Sequence, residues 1–142
     1  MRKPVEIIQG EKSLRLNIYL VIASYLLLLQ FIEPMIDFVL LHSFEQKSIA
    51  VVDYLDHLKR IVSIIVYTLM GCVPALFFAW YGYRIVASSK LPPVLLSGKT
   101  RFPFTVIVIK GKAAKMFGVL IIIVSLVLIF QLLLNLVSTL MG

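Results

Sequence analysis

Three long runs of apolar residues without a charged side chain constrain this chain more than any other feature. They are Leu16 to Ile32, Ile61 to Tyr83 and Met116 to Gly142. A helix needs about 20 apolar residues to cross the roughly 30 Å hydrocarbon core of a bilayer. The second and third runs are long enough alone, and the first becomes so with the interrupted apolar sequence up to Leu41. The sequence therefore predicts an all-α membrane protein with three transmembrane helices.

The composition agrees with this prediction. Of 142 residues, 61% are hydrophobic and only 15% are charged, whereas soluble domains carry about 25% charged residues. The net charge of +7 is best explained by anionic lipid headgroups, because no nucleic-acid-binding motif is present. Cys72 is the only cysteine, which excludes an intramolecular disulfide and a thiolate metal cluster. We expect no cofactor and no metal site.

The predicted organisation has six segments. Pro34 lies inside the first helix, and because proline removes a backbone donor we expect a kink or a break near it. Apolar residues at helical spacing in the outer connection predict either an amphipathic surface helix or an extension of the second helix. The segments are a lead (1–15), helix 1 (16–41), the outer connection (42–60), helix 2 (61–83), a basic loop (84–115) and helix 3 (116–142).

The distribution of positive charge predicts the orientation. The lead holds four Lys and Arg and the basic loop seven, against three in the outer connection. Because Lys and Arg are enriched on the cytoplasmic side, we expect the N-terminus and the basic loop in the cytoplasm and the C-terminus outside. The loop cations, expected to bind anionic lipid or an acidic partner, are Arg84, Lys90, Lys99, Arg101, Lys110, Lys112 and Lys115.

The basic loop also carries signals of extended structure. Pro92 and Pro93 stop helix 2, and short apolar runs at Val94–Leu96 and Phe104–Ile109 flank a Ser-Gly-Lys turn. This pattern predicts a small β-hairpin. The letters Ser-Gly-Lys-Thr also end a phosphate-binding loop, but proline occupies the position where that motif needs its first glycine, so we exclude nucleotide binding.

A longer pattern runs through the same loop. It consists of the Pro92-Pro93 pair, Phe104-Thr105-x-Ile107 and Gly111-x-Ala113. The pattern resembles the loop of small uncharacterised bacterial membrane proteins, in which two or three prolines precede T-x-V-x-x-G-x-A. Val94 stands where those proteins commonly have glycine. The resemblance implies a bacterial inner-membrane protein and implies no activity.

Two helices carry polar side chains far from the basic loop. Gln30, Glu33 and Asp37 are spaced i, i+3 and i+7, so they share one face of helix 1. Helix 3 has a similar polar face with Gln131, Asn135 and Ser138, spaced i, i+4 and i+7. Counted at about 1.5 Å per residue, the two sets lie at matching depths. We therefore expect the two faces to meet, because unpaired polar groups are costly in hydrocarbon.

This polar cluster allows two interpretations. It either holds helices together through hydrogen bonds, or it forms a proton or cation site at Glu33 and Asp37. We expect a non-catalytic accessory or assembly subunit that binds other membrane proteins, with a homo-oligomeric channel or a proton-linked transporter component using Glu33 as the alternative. An enzyme is not expected, because no nucleophile, base and oxyanion-binding group can be assembled from these residues.

Overall fold

The structure, a computed structural model, describes residues 4–43, 49–94 and 100–142. Most of the described residues form three helices: α1 over Lys12–Ser43 (32 residues), α2 over Ile49–Ser88 (40 residues) and α3 over Lys112–Met141 (30 residues). All three are long and apolar enough to cross a membrane. The predicted fold class, three apolar helices with a small β element, is confirmed.

The helices extend beyond the predicted segments. α1 continues through Pro34, so of the two alternatives the break is absent, and the kink stays a prediction. A break among so many apolar side chains would leave several backbone groups unpaired, whereas proline within a helix forfeits a single hydrogen bond. α2 begins at Ile49. Of the two possibilities for the outer connection, the extension of helix 2 is therefore the one adopted from that residue onward.

α2 and α3 form an antiparallel pair held by small residues. Gly82 faces Gly118, and Gly71 faces Leu132. A residue nearer the N-terminus of α2 therefore contacts a residue nearer the C-terminus of α3. Small side chains allow two helix backbones to approach closely, which increases their van der Waals contact. The buried residues of this contact include Ala75, Ile85, Ala114, Gly118 and Ser125.

α1 packs against α2. The hydroxyl of Tyr25 donates a hydrogen bond to the Met70 carbonyl oxygen at 2.7 Å, and Ile32 and Ile36 are buried. Within the described ranges, no residue of α1 lies within 8 Å of a residue of α3, measured between Cα atoms. α2 is therefore the central helix, with α1 and α3 as separate neighbours.

The described residues include four two-residue strands at the end of the molecule where α1 and α3 begin and α2 ends, which we call the basic end. They are β1 (Ile7–Ile8), β2 (Lys90–Leu91), β3 (Val106–Ile107) and β4 (Ile109–Lys110). β1 pairs antiparallel with β3, and β2 pairs antiparallel with β4. The lead before α1 is thus joined to the basic loop by a strand pair that sequence analysis did not predict.

The hairpin predicted between Val94–Leu96 and Phe104–Ile109 is confirmed only as an antiparallel strand pair within the basic loop. An antiparallel pair does form within the loop, but its first strand is β2, which ends before Pro92. Val94 lies outside the strands, and Leu95 and Leu96 lie outside the described residues. Because proline has no N–H to donate to a strand ladder, pairing stops at the residue before Pro92 and Pro93, both of which are buried.

Candidate functional site

The carboxylates of α1 lie beside a lysine of α2. Asp37 forms an ion pair with Lys59, with Nζ and Oδ1 2.7 Å apart. Glu33 is exposed on α1. Both Glu33 and Asp56 of α2 are close enough to Lys59 to interact with its charge. Gln30 is exposed on the same side of α1. Among the described residues, no three His, Cys, Asp or Glu side chains form a group that could hold a metal ion.

The polar residues of α3 have no such neighbour. Gln131, Asn135 and Ser138 are all exposed, and we call them the polar stripe of α3. Their side chains make no hydrogen bond to any described residue. The buried Ser125 behaves differently, since its hydroxyl donates to the Ile121 carbonyl oxygen at 2.7 Å within the same helix. The polar stripe therefore presents unpaired amide and hydroxyl groups on the surface of an apolar helix.

The expectation that the two polar faces meet is wrong. The faces are on α1 and α3, and no Cα atoms of these two helices come within 8 Å of each other in the described part of the chain. Matching depth is not sufficient, because the position of each helix is set by its packing on α2. Close backbone approach at Gly82 and Gly118 fixes α3, and the Tyr25 hydrogen bond together with buried isoleucines fixes α1.

At the basic end, the lead lies along the loop as a strap, which we define as residues 4–11. The Val108 amide donates to the Glu6 carbonyl oxygen at 2.9 Å, and the Glu11 amide donates to the Phe102 carbonyl oxygen at 3.1 Å. A Cβ on Gly10 would lie 2.8 Å from backbone atoms of the loop. The strap thus approaches the loop more closely than a larger residue at this position would allow.

Two loop cations are neutralised by the strap. Arg101 donates to both carboxylate oxygens of Glu11, from Nε at 3.0 Å and from Nη2 at 2.5 Å, and Lys110 forms an ion pair with Glu6. The hydrogen bond from Arg101 lowers the pKa of Glu11, and the one from Lys110 lowers the pKa of Glu6. Both carboxylates are therefore ionised at neutral pH and hold their partners in place.

Fewer cations of the basic loop are available to lipid or to a partner than the sequence predicted. Arg84 donates from Nη2 to the Val94 carbonyl oxygen at 2.7 Å, and Lys90 is half-buried and interacts with the charge of Glu6. Lys112 and Lys115 are exposed on the first turns of α3. Lys99 lies outside the described residues. Among the described cations of the basic loop, the two lysines of α3 therefore remain most available to an external anion.

The strap was not predicted, because its signal in the sequence is weak. Two isoleucines between Glu6 and Gln9 do not distinguish a strand from a short polar lead. Gly10 was a usable signal, since glycine often marks a close approach between two backbones.

No protein-family model, curated protein or solved structure matches this chain. The similarity of the loop to those of small bacterial membrane proteins therefore stays a prediction, and the features of this chain that bear on its function are the polar faces and the basic end.

Proposed function

We propose that the chain is a small multipass protein of the bacterial inner membrane that acts as a non-catalytic accessory or assembly subunit for other membrane proteins. The observation that supports this function is the separation of the two polar faces, one on α1 and one on α3. In a bilayer, Gln30 of α1 and the polar stripe of α3 need hydrogen-bond partners from outside the chain, because unpaired polar groups in hydrocarbon are costly. Helices of other proteins provide such partners.

We assign the basic end to the cytoplasm and the C-terminus to the outside. The support is the count of eleven Lys and Arg in segments 1–15 and 84–115, against three in segment 42–60. Lys112 and Lys115 are exposed beside Met116, where the apolar part of α3 begins. At this depth their ammonium groups are suited to contact anionic headgroups.

The proposal is tested by purifying the tagged chain from its native membrane in mild detergent and measuring the intact complex by native mass spectrometry. We expect a stoichiometric foreign membrane protein. Gln30→Leu should reduce its recovery, because the variant removes an exposed amide from the polar face of α1. Leu28→Met changes an exposed position on another side of α1 and should leave recovery unchanged. Purification of the native chain with no foreign protein would contradict an accessory role.

The channel alternative makes Glu33 the essential residue. Glu33→Gln retains hydrogen-bonding capacity and removes the charge, so an accessory subunit should keep its partner. A proton path should lose its flux in the same variant. Proton flux through liposomes that contain only this chain, abolished by Glu33→Gln, would establish the channel function instead.

A further inference from the structure

We propose that α3 pairs in parallel with α3 of a second copy of this chain, and that the polar stripe fixes the register of the pair. This inference rests on the proposed function, because it assumes that the helices cross a membrane. It names the partner of one of the two polar faces. The face on α1, with Gln30 and Glu33, is then left for the foreign membrane protein.

The polar stripe belongs to a longer seam with a seven-residue repeat. Val124, Gln131 and Ser138 are seven residues apart, and Leu128 and Asn135 lie between them with the same spacing. All five are exposed. A seven-residue repeat keeps one face of each helix in contact throughout a left-handed pair, the commoner packing of membrane helices. The seam therefore has the spacing that a helix pair requires.

The seam is accessible beside α2. Ala114, Gly118 and Ser125 mark the side of α3 that is buried against α2. At about 100° per residue, the seam lies roughly a quarter turn around the helix from that side. Val124 and Leu128 also line an apolar groove between α3 and α2. A second helix can thus lie along the seam without displacing α2.

The chemistry of the seam matches a second copy. Side-chain amides carry both a donor and an acceptor, so Gln131 and Asn135 can each pair with the same residue of another chain. Two copies in one membrane share one orientation, which brings identical residues to the same depth. Gln131 lies about 23 Å along the helix from Met116, inside a hydrocarbon core of about 30 Å. Polar residues within such a seam specify register and the number of helices.

Disulfide cross-linking in membranes tests the contact directly. In a Cys72→Ser background, Asn135→Cys and Ser138→Cys place thiols on the seam. Leu133→Cys places one at nearly the same depth on the opposite side of α3. We expect cross-linked dimer in several-fold higher yield from the two seam positions than from position 133, since only a close pair can form the bond. Equal yields from the two sides, or no dimer at either, would overturn the pairing.

A second measurement uses the amides without introducing thiols. Energy transfer between two labelled populations of the purified chain, reconstituted at decreasing protein-to-lipid ratios, reports self-association. Replacing both amides by Gln131→Leu and Asn135→Leu should weaken association by roughly 3- to 15-fold for each amide. Leucine suits an apolar helix, so the variant should keep its helical content, and Val137→Leu off the seam should associate like the native chain. Unchanged association in the amide variant would overturn the inference.

These experiments separate the inference from the proposed function, because they use the chain alone. A chain that is monomeric when pure but captures a foreign protein from its native membrane overturns the α3 pair and leaves the accessory role intact. A chain that pairs through the seam when pure but captures no foreign protein supports the inference and removes the accessory role.

Discussion

Gly82 of α2 and Gly118 of α3 face each other so closely that a Cβ on either residue would lie 2.8 Å from the carbonyl oxygen of the other. The neighbouring atoms at this point include backbone, which cannot move aside as the end of a flexible side chain can. The approach of the two helices therefore depends on the absence of side chains at both positions. It also determines which sides of α3 remain available for other contacts.

Substitution of Gly118 by valine should separate α2 from α3. The added side chain meets the Gly82 backbone and the side chains of Val86 and Ile85, and overpacking of this kind costs about 1–3 kcal/mol. Thermal unfolding in detergent can be followed with a thiol-reactive dye, because the chain has a single, half-buried cysteine, Cys72. Ala113→Val, at an exposed position of the same helix, is the control. Equal thermal midpoints for the two variants would contradict the close crossing.

Removal of the Tyr25 hydroxyl should loosen α1 from α2. Tyr25→Phe keeps the ring and loses the hydrogen bond to the Met70 carbonyl oxygen. Interhelical hydrogen bonds in membranes contribute about 0.6–2 kcal/mol. Cys72 lies two residues from Met70, so its rate of labelling below the unfolding temperature should rise. Tyr19→Phe, at an exposed ring on the same helix, should leave labelling unchanged. A similar rate in both variants would show that the hydrogen bond does not hold α1.

Charge reversal at Asp37 should destabilise the fold, and charge reversal at its partner Lys59 should restore only part of the lost stability. Asp37→Lys places two cations together and should lower the thermal midpoint. The effect should be small and should diminish at high salt, because the two side chains are 46% and 38% exposed. Adding Lys59→Asp restores opposite charges, but the new carboxylate then faces Glu33 and Asp56. Full recovery in the double variant would mean that these two carboxylates do not act at position 59.

Attachment of the strap should depend on pH in the acidic range. Arg101 and Lys110 lower the pKa values of Glu11 and Glu6 below their usual value of 4.5. The two ion pairs therefore contribute fully above about pH 4.5 and are lost as the pH falls through the lowered pKa values of the folded protein. Hydrogen exchange of the Val108 amide, corrected for the intrinsic effect of pH, should show protection falling over that interval.

The control for this pH dependence is the double variant Glu6→Gln and Glu11→Gln. It keeps the backbone hydrogen bonds of the strap and removes both titrating groups. We expect weaker protection of Val108 at neutral pH and no further loss in acid. If the native chain and the double variant respond to acid in the same way, the carboxylates do not hold the strap.

Much of the helical architecture was predictable because the information is local. An uncharged run such as Met116 to Gly142 indicates a long apolar helix whatever surrounds it. Boundaries were less accurate: α2 begins at Ile49, because the mixed-charge sequence before Ile61 is also helical. Of the kink or break expected near Pro34, the break did not form, since a local preference of one residue is outweighed by the hydrogen bonds of the turns around it.

The candidate site was predicted in its residues and not in its arrangement. Gln30, Glu33 and Asp37 do lie toward one side of α1, as helical spacing requires, and Gln131 and Asn135 lie on one side of α3. The depth of these polar residues along their helices does not determine which neighbouring helix each residue contacts. The partner of Asp37 is a lysine of α2, and the strap carboxylates occupy two of the cations that sequence analysis assigned to lipid or a partner.

Hydropathy and helical period are properties of a segment, so the three apolar helices and the residues that share a face of each follow from the amino-acid sequence alone. The central position of α2, the separation of the polar faces of α1 and α3 and the packing of the lead over the basic loop depend on tertiary contacts. Contacts between helices depend on how closely their backbones can approach. At Gly82 and Gly118 that approach is set by two residues far apart in the chain, and neither segment specifies it alone.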